Sequence, residues 1–447
     1  MPDPIFDSVF DPVFDLILRR GRLADGRRVD IAVDGGRIAA IAPRIDAAAR
    51  QEMDCAGHLV TPPFVDAHFH LDSTLSAGRP RHNASGTLLE GIALWGEFKR
   101  EMDEADLYDR AHRLCRIAIA QGNLAIRSHV DIGDPHLRAV RALLQLRADM
   151  RPWLQIQLVA FPQDGYLRNP AAPALLARAL EMGVDVVGGI PHFERTAADG
   201  AASIAALCRI AAERGLPVDM HCDETDDPAS RHVETLAAET VRFGLQGRVT
   251  GSHLTSMHSM DNAYADKLIA LMAQAGLGVV ANPLINISLQ GRYDTYPKRR
   301  GMTRVRELRA AGLPVAFGHD CVMDPWYRLG SHDMLEVAAM GAHVGHLMGE
   351  ADLRGCFDAV TGDAARVIGL DGYGLAVGRP ADLVVLQAAD PIEALRLRPA
   401  RLAVLRAGRV IAATPPRVTT LDLDGVQVLD LADQGVDQGA GESRASA

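Results

Sequence analysis

Eight apolar, strand-like runs alternate with helix-like segments along the middle of the chain. Continuous apolar runs separated by helices are typical of a parallel sheet that is buried on both faces. Eight such units predict a (β/α)8 TIM barrel, a fold whose functional side chains follow the carboxyl ends of the strands. The runs are HLVTPPFVDAHFH (58–70), NLAIRSHVDI (123–132), WLQIQLVAFPQ (153–163), VDVVGGIPHF (184–193), PVDMHCDE (217–224), RVTGSHLT (248–255), GVVANPLIN (278–286) and PVAFGHD (314–320).

The two ends of the chain have a different character. Residues 16–43 and 380–413 contain short strand-like runs joined by turns such as ADG and DGG. Strand-rich ends on both sides of a long middle predict one small β-sandwich domain that both termini build. The predicted domains are 1–61 and 371–425 for the two parts of this sandwich, 62–370 for the barrel, and 426–447 for a disordered tail.

Composition narrows the classes of partner. The chain of 447 residues has a net charge of -10, which argues against a nucleic-acid polymer as ligand. No apolar run is long enough to span a membrane. Six cysteines without a C-x-x-C pair, and an N-terminus with acids among its apolar residues, predict a cytoplasmic protein with reduced thiols.

Histidines and an aspartate stand at the ends of several predicted strands. His68 and His70 are two residues apart, so both face the same side of a strand. His221 and Asp320 end the fifth and eighth runs, and three imidazoles with one carboxylate suit Fe2+ or Zn2+. The fourth run has no lysine to bridge a second ion, so we predict one divalent metal ion per chain.

Further polar residues follow the same strand ends. His253 ends the sixth run, where it either lies beside the metal or only hydrogen-bonds the barrel rim. Glu224 follows His221 by three residues, which places it either over the metal as a proton carrier or on the surface. Gln163 ends the third run, and its amide can both donate to and accept from a lactam-like ring edge. Trp326 either packs over a ligand or plugs the helix that follows.

Several longer motifs resemble those of bacterial cytosine deaminases of the amidohydrolase superfamily. They include PPFVDAHFHLDS, VAFPQDG, GGIPHFE, HCDETDDPASRHVET, NPLINISLQGRYDTYPKRRGMTRV and GHDCVMDPWYRLG. The resemblance runs from about residue 16 to about residue 413 and implies a (β/α)8 barrel with a flanking β-sandwich, one iron or zinc ion and a homo-oligomer. It also implies metal ligands at His68, His70, His221 and Asp320, proton transfer by Glu224 and His253, and contact of Gln163 with the pyrimidine edge.

One position departs from this pattern. The cytosine-specific members have GHDD where this chain has GHDC, so Cys321 replaces an aspartate that borders the base. A thiol behaves as a small hydrophobe and would leave space for a methyl group on ring C5. We therefore expect hydrolytic deamination of 5-methylcytosine to thymine, of cytosine to uracil, or of both.

Other functions stay open at this stage. The neutral thiol at position 321 is also compatible with a larger amino-heterocycle, such as isoguanine or a pterin. A cyclic amide hydrolase would use similar metal ligands, although it would more often carry the bridging lysine. A metal-binding protein without catalysis would have no need of Glu224 and His253 over the ion.

Overall fold

The structure, a computed structural model, describes residues 13–423 and 425–432. The chain forms two compact units. One is continuous and spans Pro62–Gly374, and the other combines the segments before and after it. No helix of the described part of the chain has both the length and the hydropathy to cross a lipid bilayer.

The N-terminal segment contributes five strands to the discontinuous unit. The central strand is the first, which pairs antiparallel with the second and parallel with the fourth and fifth. The third strand pairs antiparallel with the second. The five strands are β1 (Phe14–Arg22), β2 (Arg28–Asp34), β3 (Arg37–Ala42), β4 (Ala49–Asp54) and β5 (Leu59–Thr61).

The continuous unit contains a sheet of eight strands in chain order, and each adjacent pair is parallel. These strands are β6 (Phe64–Phe69), β7 (Asn123–Asp131), β8 (Gln155–Phe161), β9 (Val186–Gly189), β10 (Val218–Cys222), β11 (Val249–His253), β12 (Gly278–Ala281) and β13 (Val315–Phe317). A parallel bridge between Phe69 and Asp320 joins the last strand end to the first. The predicted TIM barrel is therefore confirmed.

Helices separate the barrel strands. They are α1 (Leu88–Glu101), α2 (Glu104–Ala120), α3 (Arg138–Met150), α4 (Ala172–Glu181), α5 (Ala197–Arg214), α6 (His232–Arg242), α7 (Asn262–Gln274), α8 (Pro283–Leu289), α9 (Val305–Ala310), α10 (Met334–Val344), α11 (Glu350–Asp358) and α12 (Gly362–Val367). The run GVVANPLIN was expected to be one strand, but only its first four residues are. Pro283 occupies the first turn of α8, where its fixed φ favours a helix and its missing N–H costs nothing.

The C-terminal segment completes the discontinuous unit with β14 (Leu383–Leu386), α13 (Pro391–Leu397), β15 (Arg401–Arg406), β16 (Arg409–Ala412), β17 (Thr419–Asp422) and β18 (Val426–Leu429). β14 pairs with β5, so strands from both chain ends share one branched sheet. The predicted small β domain is thus present. The stretch expected to be a disordered tail begins with β18, which pairs with β17, and residues 433–447 lie outside the described range.

Candidate active site

The seam that closes the barrel brings three predicted ligands together. The backbone N–H of Asp320 donates to the carbonyl of His68 at 2.9 Å, and the N–H of His70 donates to the carbonyl of Asp320 at 3.0 Å. As a result, Oδ1 of Asp320 lies 3.6 Å from Nε2 of His68 and 3.5 Å from Nε2 of His70. Nε2 of His221, at the end of β10, lies 3.0 Å from Nε2 of His70.

These four side chains have the chemistry of a metal site. Ligand atoms of His68, His70 and His221 lie within 4.8 Å of one another, and so do those of His68, His253 and Asp320. Both ring nitrogens of His68 and Nδ1 of His221 are buried and meet no hydrogen-bond partner in the described part of the chain. A buried imidazole nitrogen without a partner is costly, and a divalent cation would satisfy the one nitrogen of His68 that faces Asp320.

The electrostatics of the cluster favour neutral rings at His70 and His221 and an ionised Asp320, whereas at His68 the effect of burial is outweighed by the charge of Asp320, which raises the pKa of that imidazole. Burial lowers the pKa of His70 to about 3 and that of His221 well below the ordinary value. Burial raises the pKa of Asp320, but the neighbouring imidazoles outweigh this effect and lower the pKa below the usual range. The largest of these contributions comes from His68. Neutral imidazoles and an ionised carboxylate are the protonation states that bind metal ions.

His253, at the end of β11, lies between two carboxyl groups. Its Nδ1 is 3.4 Å from Oε1 of Glu224, and its Nε2 is 3.8 Å from Oδ2 of Asp320. The side-chain amide nitrogen of Asn286 lies 3.0 Å from Nδ1 and that of Asn282 lies 3.3 Å from it. An amide nitrogen can only donate, so Nδ1 accepts and the neutral ring carries its hydrogen on Nε2, towards Asp320.

Glu224 lies at the end of a sharply turned segment after β10. The preceding residue, Asp223, has a left-handed backbone with φ of 51° and is fully buried. Its carboxylate accepts from Ser230 Oγ at 2.6 Å, from Nδ1 of His232 at 2.8 Å and from the N–H of Val233 at 2.8 Å. These bonds fix the turn that directs Glu224 into the site, so Asp223 is a supporting residue and not a solvated one.

The environment of Glu224 favours its protonated form. The side chain is only 5% exposed. Burial first, and then the negative charge of Asp320, raise the pKa of Glu224 well above that of an ordinary glutamic acid. A neutral carboxylic acid beside an ionised aspartate is the pairing expected of a general acid next to a proton acceptor.

His129, on β7, belongs to a layer below the ligands. Its ring lies 4.2 Å from that of His68, and its Nε2 is 3.6 Å from Oδ1 of Asp219. Asp219 in turn accepts from Ser252 Oγ at 2.7 Å and from the guanidinium of Arg127 at 3.0 Å. His129 therefore supports His68 from below, and the Asp219 network could not be recognised in sequence because its members come from three strands.

One cavity unites nearly all of the predicted site residues. It encloses about 360 Å³ of space, part of which is open to solvent. His68 is the only predicted site residue that does not line it. The lining side chains are those of His70, Leu88, Gln163, Ile190, His221, Glu224, His253, Ile285, Leu289, Asp320, Cys321 and Trp326. A mixture of a few polar groups and apolar side chains is the usual lining of a small-molecule site.

Cys321 contributes an almost buried thiol to this cavity. Its side chain is 3% exposed, and Sγ lies 3.5 Å from Oδ1 of Asp320. Burial, and then the charges of Asp320 and Asp324, raise the pKa of the thiol well above its ordinary value. The group that borders the cavity at this position is therefore neutral.

Trp326 forms another wall. Its ring lies 6.3 Å from the ring of His70 and 6.3 Å from that of Trp95 on α1. A Cβ added to Gly91 of α1 would lie 2.3 Å from Cδ1 of Trp326, so the absence of a side chain at Gly91 makes room for the indole. Trp326 therefore packs against α1 and lines the cavity, and its packing over a ligand stays a prediction.

Gln163 lies in the loop after β8. Glu194, from the segment GGIPHFE, accepts from the backbone N–H groups of Tyr166 at 2.6 Å and Arg168 at 2.7 Å. This carboxylate therefore anchors the far side of the Gln163 loop. Nothing in the pattern around Glu194 indicates a role of this kind, because its partners are 26 to 28 residues earlier in the chain.

Comparisons with known proteins agree with this geometry. A family model described as "Amidohydrolase family" matches residues 51–413. The crystal structure of 5-methylcytosine deaminase from Klebsiella pneumoniae is similar, with a TM-score of 0.88, 41% identity and coverage of 90% of this chain and 98% of that one. Pterin deaminase from Rhizobium rhizogenes is 33% identical over 401 residues, 88% of this chain and 90% of its own. N-isopropylammelide isopropyl amidohydrolase from Pseudomonas sp. is 29% identical over 410 residues, 89% of this chain and 97% of its own.

Proposed function

The chain belongs to the amidohydrolase family, and on that premise we propose that it hydrolyses an aminopyrimidine base with release of ammonia. The substrates proposed are 5-methylcytosine, which would give thymine, and cytosine, which would give uracil. One observation carries the proposal. A single cavity collects a proton donor (Glu224), an amide suited to a ring edge (Gln163) and a neutral thiol (Cys321) beside the histidine and aspartate cluster.

The family is metal-dependent, and the cluster fits one divalent ion, Fe2+ or Zn2+. His68, His70, His221 and Asp320 would hold it, because their buried nitrogen and oxygen atoms face one another. When bound, such an ion lowers the pKa of a water molecule and supplies a nucleophile at neutral pH. Imidazole and carboxylate ligands suit both iron and zinc, and elemental analysis of the purified protein distinguishes the two.

Asp320 would accept the proton that the attacking water loses, and the Nε2–H of His253 would donate to that water and hold it towards Asp320. The contact of 3.8 Å between Nε2 of His253 and Oδ2 of Asp320 supports this pairing. Asn286 helps to hold His253 in one orientation by donating to Nδ1 at 3.0 Å. With both groups fixed, the transfer needs little rearrangement of the protein.

Glu224 would deliver protons to the ring. A raised pKa keeps its carboxyl group neutral, so it can protonate ring N3 as water adds to C4. The resulting carboxylate can then take the proton of the new C4 hydroxyl group and pass it to the amine, which leaves as ammonia, and the proton held by Asp320 restores the acid form of Glu224. The net reaction replaces the exocyclic amino group of the base by an oxygen atom taken from water.

Gln163 and Trp326 would orient the base. The amide of Gln163 can donate to the ring O2 and accept from a ring N–H, so it selects the edge that carries these groups. The indole of Trp326 offers a flat apolar face to a flat ring. Together they would turn C4 towards the proton-transfer groups.

Cys321 would set the preference at ring C5. A carboxylate at this position would be charged and hydrated, and it would resist an apolar methyl group placed against it. The buried, neutral thiol leaves an apolar surface instead. The 41% identity with a 5-methylcytosine deaminase also supports 5-methylcytosine as a substrate.

A pterin is the second candidate substrate, because a pterin deaminase is 33% identical over 88% of this chain. Ammonia release from 5-methylcytosine, cytosine, isoguanine, pterin and a cyclic amide, with identification of each product, tests the two candidates together. Release from the pyrimidines supports the proposal. Release from pterin alone supports the second candidate, and ring opening without loss of nitrogen identifies a cyclic amide hydrolase.

A further inference from the structure

Lys99 on α1 bridges two carboxylates next to the cavity. Its Nζ lies 2.9 Å from Oδ2 of Asp131, the last residue of β7, and 2.6 Å from Oδ2 of Asp164. The lysine side chain is only 13% exposed. Burial disfavours its charge, but the two carboxylates raise the pKa of Lys99 above its ordinary value, so the amine is charged.

The cluster packs closely against Gly133. A Cβ added to Gly133 would lie 2.9 Å from both Nζ of Lys99 and Oδ2 of Asp164. Asp131 is fixed independently, since its Oδ2 accepts from the indole N–H of Trp95 at 2.7 Å and its Oδ1 accepts from the N–H of Gly133 at 2.7 Å. Asp131 therefore serves as the rigid side of the bridge.

Asp164 is the more exposed side of the bridge, and it directly follows Gln163. Its side chain is 39% exposed, whereas that of Asp131 is 4% exposed. Glu194 holds the loop beyond this point through the N–H groups of residues 166 to 168. Gln163 thus lies between the end of β8 and two contacts that hold the loop. The contact of Lys99 with Asp164 is nearer to Gln163 than the contacts of Glu194 are.

We propose that Lys99 is a positioning residue that holds Gln163 in the cavity by anchoring Asp164 to Asp131. The inference rests on the proposed function for the part that Gln163 plays in binding the base. The placement of the loop by Lys99 is a separate structural claim. The chain has only three lysines, and Lys99 is the one that joins two carboxylates beside the cavity.

Removal of the charge should release the loop. In Lys99→Met the carboxylates of Asp131 and Asp164 would face each other without a cation, and the more exposed Asp164 would turn to solvent. Hydrogen bonds between charged groups stabilise a structure more than neutral ones do. We therefore expect their loss to lower kcat/KM roughly tenfold or more. The rise in KM should exceed the fall in kcat, because Gln163 orients the base and Glu224 transfers the protons.

The kinetic test is a double-mutant cycle between Lys99→Met and Gln163→Leu on the metal-loaded enzyme. If Lys99 acts through Gln163, Lys99→Met has little further effect in the Gln163→Leu background. Lys99→Arg should restore part of the activity because it keeps a cation at this position. Lys267→Met is the control, since Lys267 is 74% exposed, and it should match the wild type. If the double variant instead loses kcat/KM by the product of the two single losses, the proposal is overturned.

Amide hydrogen exchange of residues 163–168 provides a readout that does not depend on the reaction. Faster exchange in Lys99→Met, with no change in Lys267→Met, supports the positioning role even if the wild type releases no ammonia from any pyrimidine. Unchanged exchange in Lys99→Met overturns it. A wild type without pyrimidine deamination but with the exchange difference would count against the proposed function alone.

Discussion

The Nε2 atoms of His70 and His221 lie 3.0 Å apart. Two imidazoles that bind one ion tetrahedrally at metal–nitrogen distances of roughly 2.0–2.1 Å have their nitrogens about 3.3 Å apart. The spacing from β6 to β10 therefore already approaches the one that a shared ion imposes. It arises from the backbone, because the parallel ladders from β6 through β10 and the bridge at Asp320 fix the ends of these strands.

The purified protein should contain close to one divalent ion per chain. His70→Ala and Asp320→Ala should each lower this content sharply, because each removes one of the four ligands and leaves the other buried groups unsatisfied. His136→Ala serves as the control, since His136 is exposed, and it should keep the wild-type content. Elemental analysis of the purified variants measures this. Two tightly bound ions per chain would contradict the assignment of a single site.

Glu224→Gln should keep the metal and lose most of the activity. Glutamine preserves the shape of the side chain but cannot transfer a proton, and such groups typically contribute on the order of 10²–10⁴-fold to the rate. Glu213→Gln is a suitable control because Glu213 is exposed on α5. Steady-state kinetics with metal analysis of the same samples separates the two effects. A Glu224→Gln variant with a near wild-type kcat would make the residue a bystander.

Gly91→Ala should disturb the cavity through Trp326. The new Cβ would lie 2.3 Å from Cδ1 and 2.5 Å from Nε1 of the indole, so the ring must move. We expect a raised KM and a loss of stability of about 1–3 kcal/mol, as in other overpacked sites. The measurements are KM and the midpoint of thermal unfolding.

Gly96→Ala is the matched control on the same helix. No atom lies within 4 Å of a Cβ added to Gly96, so alanine fits there. Alanine also favours a helix over glycine by up to about 1 kcal/mol, so this variant should be slightly more stable and equally active. Equal KM values in the Gly91→Ala and Gly96→Ala variants would show that Trp326 does not shape the binding site.

Local patterns in the sequence were sufficient for the framework of the barrel. Each predicted run contains a barrel strand, because buried parallel strands leave continuous apolar stretches that turn residues interrupt. The positions of His68, His70, His221 and Asp320 followed from the rule that functional groups cluster at carboxyl strand ends. These inferences use only the spacing of residues within a run.

Contacts between distant segments could not be predicted in this way. Asn282 and Asn286 donate to His253 from the first turn of a helix that the sequence pattern extended as a strand. Lys99 reaches Asp164 over 65 positions in the chain, and it appeared in the sequence only as one of three scarce lysines. Such partners are fixed by the packing of helices around the barrel, which periodicity does not encode.

We propose that the enzyme accepts 5-methylcytosine because the neutral thiol of Cys321 borders the cavity. The most direct measurement is kcat/KM for cytosine and for 5-methylcytosine in the wild type and in Cys321→Asp. The wild type should use 5-methylcytosine at least as well as cytosine. The aspartate variant should shift the ratio towards cytosine, by roughly 10–200-fold for the one methyl group. A wild type that strongly prefers cytosine, or an unchanged ratio in Cys321→Asp, would contradict it.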